Sequence, residues 1–227
     1  MRQGGKMLNK YSYYDKLGVS QNVVKYVEQC EQNIASTFSK IDDIAEYNQL
    51  KVLHAMQENR ISDIHFNWNT GYGYDDIGRD AVENVYKMVF GTEDAIVRPI
   101  IVSGTHALTL MLTGVLRPNQ RMLSITGRPY DTLEKVIGLS PSNALSLKDI
   151  GVAYDEIHLL DDGSFDFENI TQALESKAHV VYIQRSAGYS WRRGMTIEEM
   201  QVVITHVKNI DPDIIVMVDN CYGEFLE

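Results

Sequence analysis

The feature that most constrains this chain is a pattern repeated through its second half. Short apolar runs alternate with stretches of helical spacing. The runs are Ile100-Ile101-Val102, Met122-Leu123-Ser124-Ile125, Val180-Val181-Tyr182-Ile183 and Ile214-Ile215-Val216-Met217-Val218. Helices are expected over residues 106–116, 131–137, 166–175 and 196–209. The last opens with Thr196 and Glu199 in capping-box spacing and carries Met200, Val203, Ile204 and Val207 on one face. Asp131 with Glu134 marks another start. Strands that are apolar throughout need cover on both faces, and a helix after each strand supplies it. The expected fold is therefore α/β: a mostly parallel sheet with helices on both faces. Pro99 weakens the start of the first run, because it cannot donate to a ladder.

Ahead of that pattern, residues 20–58 read as helix. Val23, Val27, Cys30 and Ile34 recur at helical spacing, as do Leu50, Leu53 and Met56, with no Gly or Pro between. Residues 65–80 are rich in Gly, Asn, Tyr and Asp and read as a loop. The expected division is an N-terminal helical segment, 1–60, and an α/β domain, 61–227. The chain has 21 Lys+Arg against 31 Asp+Glu, a net charge of -10. Nucleic acid and anionic membrane both favour a positive surface, so neither is an expected partner. No apolar run approaches the ~20 residues of a membrane span. The polar start lacks the pattern of a secretory signal. Two distant cysteines, Cys30 and Cys221, make no disulfide framework. A cytoplasmic location is expected.

Ligands of open α/β sheets bind beyond the carboxyl ends of the strands. After the four runs come Ser103-Gly104-Thr105-His106, Thr126-Gly127-Arg128-Pro129-Tyr130, Gln184-Arg185-Ser186 and Asp219-Asn220-Cys221-Tyr222. Ser103-Gly104-Thr105 opens a helix, where backbone N–H groups and the dipole favour an anion such as phosphate. The same residues also suit a plain helix cap. Asp219 ends an apolar strand, where a carboxylate calls for a partner that favours its charge; a protonated ring nitrogen is one, and capping the next turn is another use. Tyr130 suits stacking on a planar ligand or packing on the helix that follows. Arg185 suits an anion or an acidic neighbour. In the loop before the sheet stand Tyr72, Tyr74 and Arg79 among Gly71, Gly73 and Gly78. Their spacing is not Gly-x-Gly-x-x-Gly, there is no Walker loop, and His and Cys show no metal-ligand spacing.

A phosphate cradle, an aromatic stacker and a strand-end Asp together suit pyridoxal phosphate. The chain resembles the fold type I enzymes that use this cofactor, and among them the methionine gamma-lyase-like family often called aluminium resistance proteins. The resemblance rests on residues 71–80, 102–107, 124–134, 183–186 and 218–225, in that order along the chain. It implies a partial fold type I large domain. It also implies that Ser103, Gly104 and Thr105 cradle the cofactor phosphate, that Tyr130 stacks on the ring, and that Asp219 pairs with the ring nitrogen. Tyr74 and Arg79, with Tyr72 less firmly placed, would reach the phosphate of a neighbouring subunit, which makes the complete protein a homodimer or homotetramer. Arg185 and Ser186 would contact cofactor or substrate. The implied reaction is carbon–sulfur lysis of a small amino-acid substrate such as cystathionine or methionine.

One departure stands out. The family holds the cofactor on a lysine that follows the Asp strand, and here no lysine follows Asp219; the last is Lys208. The expectation is an incomplete chain, without the later strands and the small C-terminal domain, prone to associate through its uncovered sheet. A non-catalytic binding module that keeps the cradle, and a nucleotide-binding α/β domain, remain alternatives. Because covalent catalysis lacks its nucleophile, this chain with added cofactor is expected to release no product from a sulfur amino acid. Thiol or ketoacid formation above a no-protein blank would overturn that.

Overall fold

The computed structural model describes residues 11–68, 72, 74, 76–141 and 145–227. They fall into two compact units, Met1–Glu58 and Asn59–Glu227. The first holds α1 (Tyr11–Lys16) and the 38-residue α2 (Gln21–Glu58). The Tyr11 hydroxyl donates to Glu28 at 2.7 Å, tying the short helix to the long one. Residues 29–43 of α2 are exposed throughout.

The second unit begins with a 3-10 turn, Asp63–Phe66, and α3 (Ile77–Phe90). They overlap the two ends of residues 65–80, where composition suggested loop. Asp76 explains the start of α3, since its side chain accepts from the Arg79 N–H at 3.0 Å. Gly71 and Gly73 lie outside the described residues. Then follow α4 (Gly104–Val115), β1 (Arg121–Ser124), α5 (Asp131–Ile137), β2 (Ala153–Glu156), α6 (Phe167–Leu174), β3 (Val180–Gln184), α7 (Ile197–Ile210) and β4 (Ile215–Asp219).

The four strands form one parallel sheet in the order β2-β1-β3-β4. Alternation along the strands sorts the core into two layers. Leu123, Val181 and Ile183 face α6 and α7, packing with Ile170, Leu174, Val203 and Val207. Met122, Val180, Tyr182 and Met217 face α4 and α5, packing with Leu112, Leu116, Leu133 and Ile137. Every residue of β3 is buried, which is why its sequence reads as a continuous apolar run.

One expectation about strands is corrected. Ile100-Ile101-Val102 is not a strand. It leaves a turn closed by the Ile101 N–H to the Arg98 carbonyl, and Ile100 and Val102 are 77% and 79% exposed. No strand among the described residues runs beside it, and an apolar run without a ladder partner has nothing to hold it extended. Conversely, β2 went unread. Its Ala-Tyr-Asp-Glu sequence alternates between exposed and half-buried, as befits a sheet edge.

The capping box of α7 is formed: Thr196 Oγ1 accepts from the Glu199 N–H at 3.2 Å, and Glu199 accepts from the Thr196 N–H at 2.9 Å. Arg193 reinforces it, and its pairing with Glu199, followed by the backbone hydrogen bond, lowers that carboxyl from an ordinary 4.5 to about 2. A carboxyl depressed in the folded state stabilises it above the unfolded value, and that contribution fades as pH falls from 4.5 towards 2. Urea midpoints of the native chain should therefore drop across this window. In Glu199→Gln the drop should be shallower and the starting midpoint lower, the cap being worth about 1 kcal/mol.

Candidate functional site

The chain enters the sheet at β1, steps to β2 on one side, then crosses to β3 and β4 on the other. Connections therefore leave β1 and β3 in opposite directions. The crevice between their carboxyl ends is the topological switch point of the sheet, the place where open α/β sheets bind ligands. An open cleft of about 600 Å³ lies there, walled by residues 126–131 after β1, 158–163 after β2, and Gln184 with residues 187–193 at and after the end of β3.

Gln184, the last residue of β3, organises this end. Its N–H donates to Thr126 Oγ1 at 2.9 Å, and its side-chain carbonyl accepts from the Tyr130 N–H at 2.8 Å. Its amide nitrogen donates to the Ser186 carbonyl at 3.2 Å. Gly127 lets the β1 loop pass beneath: its φ is +77°, and a Cβ there would meet His158 Nδ1 at 2.9 Å. Tyr130 is thus fixed by its backbone before α5 begins. Its hydroxyl donates to that of Tyr189 at 3.0 Å, with the rings 5.5 Å apart and tilted by 30°. That hydrogen bond, followed by desolvation, pushes the Tyr130 phenol up to about 12, so it stays a proton donor.

Asp219 stands beside Gln184 in the β3–β4 register. Strand alternation puts Asp219, Met217, Tyr182 and Gln184 on the face that carries α4 and α5. The Asp219 carboxylate accepts from the Tyr182 hydroxyl at 3.1 Å and from the Cys221 N–H at 3.1 Å. Burial, then the Asp219 charge, raises Tyr182 above its ordinary value and keeps it a neutral donor. Ser103 caps α4, its Oγ accepting from the His106 N–H at 3.1 Å. Thr105, one residue into that helix, meets Thr132 of α5 hydroxyl to hydroxyl at 2.7 Å. The Ser103 turn is therefore two residues of α5 away from Tyr130, which Gln184 joins to Asp219. Thr105 thus ties the α4 N-terminus to α5, and Gln184 ties the Tyr130 backbone to the strand position beside Asp219.

A family model for methionine gamma-lyase matches residues 23–227. The chain belongs to the methionine gamma-lyase family. It is 45% identical over 215 residues to YnbB of Bacillus subtilis (strain 168), a match covering 94% of this chain and 51% of that protein. A carbon–sulfur lyase involved in aluminium resistance from Clostridium novyi superposes with a TM-score of 0.88 at 47% identity, covering 97% of this chain and 53% of that one. A Listeria monocytogenes structure described as a candidate cystathionine beta-lyase involved in aluminium resistance gives 0.84 at 51% identity, over 88% and 51%. The chain spans about half the length of these relatives. A pyridoxal-5′-phosphate-dependent protein of Escherichia coli, YhfS, shares the fold at 16% identity and a TM-score of 0.57, over 78% of this chain and 44% of that one.

For this methionine gamma-lyase family member, the arrangement suits a flat, anionic-tailed cofactor in three respects. The first N–H groups of α4, from Gly104 and Thr105, have no intrahelical acceptor. Beyond its chain neighbours and its own helix backbone, no atom lies within 4 Å of the place a Cβ would take on Gly104, so the approach is open. Asp219 is half-buried at a strand end, with a buried neutral phenol as its neighbour. Lys208 lies elsewhere: its Nζ donates to the carbonyls of Pro212 and Ile214, at the amino end of β4.

Other expected site residues are placed differently. Alternation turns Arg185 to the opposite face, where it is 4% exposed. There it donates to the carbonyls of Met195 and Gly223 and to Asn220, and pairs with Glu227. Its guanidinium holds the segment after β4 rather than facing Asp219. The Ser186 carbonyl takes up Gln184 and Arg192. Tyr74 is exposed, and Arg79 pairs with Asp76 in the first turn of α3. The hydrogen bonds that link Tyr130 to Asp219 include neither. Among the described residues no cluster of His, Cys, Asp or Glu could hold a metal ion, and no helix is long and apolar enough to cross a membrane.

Sequence reading gave no role to Gln184, Tyr182 or Tyr189. The available signal was a polar side chain closing a fully apolar strand, which at that depth must have specific partners. Gln184→Leu removes the acceptor of the Tyr130 N–H. It should destabilise the fold by about 1–3 kcal/mol in urea and erase the near-UV circular dichroism of the Tyr130–Tyr189 pair.

Proposed function

We propose that this chain forms the cofactor-gripping part of a pyridoxal-phosphate-dependent carbon–sulfur lyase acting on a sulfur amino acid. The observation that carries the reading is the Tyr130–Gln184–Asp219 chain at the switch point, with the α4 N-terminus joined to it through Thr105 and Thr132. The family membership and the names of the Clostridium and Listeria proteins support the reaction class.

In this reading the N–H groups of Gly104 and Thr105, with the Thr105 hydroxyl, receive the phosphate, while Ser103 holds the turn in shape. Tyr130 offers a ring face fixed by Gln184. Asp219 faces the pyridine nitrogen and keeps its proton in place, while the Tyr182 hydroxyl orients the carboxylate. When bound, pyridoxal phosphate supplies an electron sink for the substrate α-carbon. The covalent attachment of the cofactor has no counterpart in Lys208. Tyr74 and Arg79 are the residues we assign to the phosphate of a neighbouring subunit, in a homodimeric or homotetrameric complete protein. The substrate is a small amino acid, and a cytoplasmic setting suits the two free cysteines, Cys30 and Cys221.

Titration with pyridoxal phosphate, followed by its absorbance and by quenching of protein fluorescence, tests this. Uptake should be saturable and reversed by dialysis. Asp219→Ala should weaken it about 10- to 100-fold, the range for a hydrogen bond to a charged group. Equal uptake by the native chain and Asp219→Ala would sink the proposal.

A further inference from the structure

Asp219 has two carboxylate oxygens, and the chain holds each from a different side. Oδ2 accepts from the hydroxyl of Tyr182, a fully buried side chain of β3. Oδ1 accepts from the Cys221 N–H at 3.1 Å. The first donor is anchored in the core. The second belongs to the turn that leaves β4, closed by the Gly223 N–H on the Asn220 carbonyl at 2.9 Å. The direction of the carboxylate therefore depends on what keeps that turn in place.

The turn is not held by its own preferences. Tyr222 sits at φ +69°, a left-handed conformation that a side chain disfavours. Its ring is 82% exposed, so burial does not hold it either.

Arg185 supplies the hold. Its backbone N–H donates to the Asp219 carbonyl at 3.0 Å. On the α6–α7 face its Nε donates to the Met195 carbonyl at 2.8 Å, just ahead of the Thr196 cap of α7. From that fixed point Nη1 reaches Asn220 Oδ1 at 3.0 Å and the Gly223 carbonyl at 2.6 Å. Nη2 pairs with Glu227, whose carboxylate also accepts from the Ile197 N–H at 3.3 Å. A rigid, planar set of donors thus spans the start of α7 and both ends of the turn, as a flexible ammonium could not. Gly223 is part of the fit: a Cβ there would stand 2.7 Å from Arg185 Nη1 and collide with Asn220 Oδ1. A guanidinium only 4% exposed is costly to bury unless its donors are taken up, and here the turn itself takes them up.

We propose that Arg185 is a positioning residue: by clamping the Asn220–Gly223 turn to the start of α7, it aims the Cys221 N–H at Asp219 and so sets the direction of that carboxylate. The hold on Asp219 stands on these contacts alone. Its consequence for a pyridine nitrogen rests on the lyase reading above.

The Cys221 amide is a direct probe. The chain has two cysteines, so isotope-labelled cysteine gives two amide signals by nuclear magnetic resonance, and Cys30→Ser identifies which belongs to Cys221. In the native chain that signal should follow the ionisation of Asp219, and Asp219→Asn should abolish its titration. In Arg185→Met the titration should shrink, and exchange of this amide with deuterium should speed up about 10-fold, as for a lost hydrogen bond. Gly223→Ala, which leaves the guanidinium charge in place, should do the same, and it decides the matter should Arg185→Met fail to fold. With pyridoxal phosphate added, both variants should lower the pH at which absorbance reports loss of the ring-nitrogen proton, by about one unit. A role confined to stability would lower the urea midpoint and leave that pH unchanged. A Cys221 signal that titrates alike in the native chain and both variants overturns the clamp. So does cofactor uptake with an unshifted ring-nitrogen pH. Altered amide signals with no uptake by the native chain uphold the clamp and defeat the lyase reading instead.

Discussion

The site end of this fold depends on one buried amide. Gln184 closes the most deeply buried strand at 6% exposure, so its polar atoms must find partners inside the protein or the strand loses stability. It finds them in three places at once. Its backbone N–H holds the β1 loop at Thr126, its carbonyl holds the Tyr130 backbone, and its amide nitrogen holds the Ser186 turn. Asp219 is its neighbour in the ladder. Two loops that leave the sheet in opposite directions are thereby locked together at the point where they diverge. A ligand arriving at that crevice meets side chains whose positions were fixed during folding, at no further ordering cost on binding.

The same end of the sheet keeps its phenols neutral around a charged carboxylate. Tyr182 is fully buried and points at Asp219; Tyr130 is held by Tyr189. Desolvation and the nearby negative charge both disfavour a phenolate at Tyr182, while the Tyr189 hydrogen bond does most at Tyr130. The Tyr182 hydroxyl, as a neutral donor, orients the Asp219 carboxylate. In the proposed reaction Tyr182 orients the Asp219 carboxylate and Tyr130 offers a ring face held by Gln184.

How far the sequence spoke for itself follows from where information is local. β1 and β3 were legible because both are apolar runs inside the sheet, β4 because its run is apolar although it pairs with β3 alone among the described residues, and α5 and α7 because Asp131, Glu134, Thr196 and Glu199 write their own start signals. β2 was not, because an edge strand keeps polar residues such as Asp155 and Glu156, and alternation over four residues is a faint pattern. The Ile100-Ile101-Val102 run misled because hydrophobicity describes an appetite for burial and not its fulfilment: a ladder needs a second strand. α3 was hidden by the glycines ahead of it, although Asp76 was a visible cap. At the site, Asp219 and Tyr130 stood out by residue type. Arg185 also stood out, but which face it takes depends on strand parity counted through Tyr182 and Ile183, and parity sends it to the α6–α7 side. Gln184 escaped because its importance lies in three partners distant in sequence.

The distribution of cations bears on how an anionic cofactor tail would be held. Arg128, Arg185, Arg192 and Arg193 all surround the carboxyl ends of the strands, yet each is committed to a carboxylate or to backbone carbonyls. In a chain of net charge -10, the attraction for phosphate within this end therefore falls to the N-terminus of α4. A helix terminus contributes about 0.3–1 kcal/mol to an exposed charge and up to ~2 kcal/mol in a partly buried one, well short of what tight retention of a doubly charged group requires. Arg79 is the cation with room to contribute, since Asp76 engages it at 3.4 Å and already has the Arg79 N–H as a partner. A grip divided between the α4 N-terminus and an Arg79 supplied by a second copy would reconcile the weak local field with firm binding. It would also make cofactor retention depend on association, by the same linkage that makes any shared site stabilise the assembly that completes it.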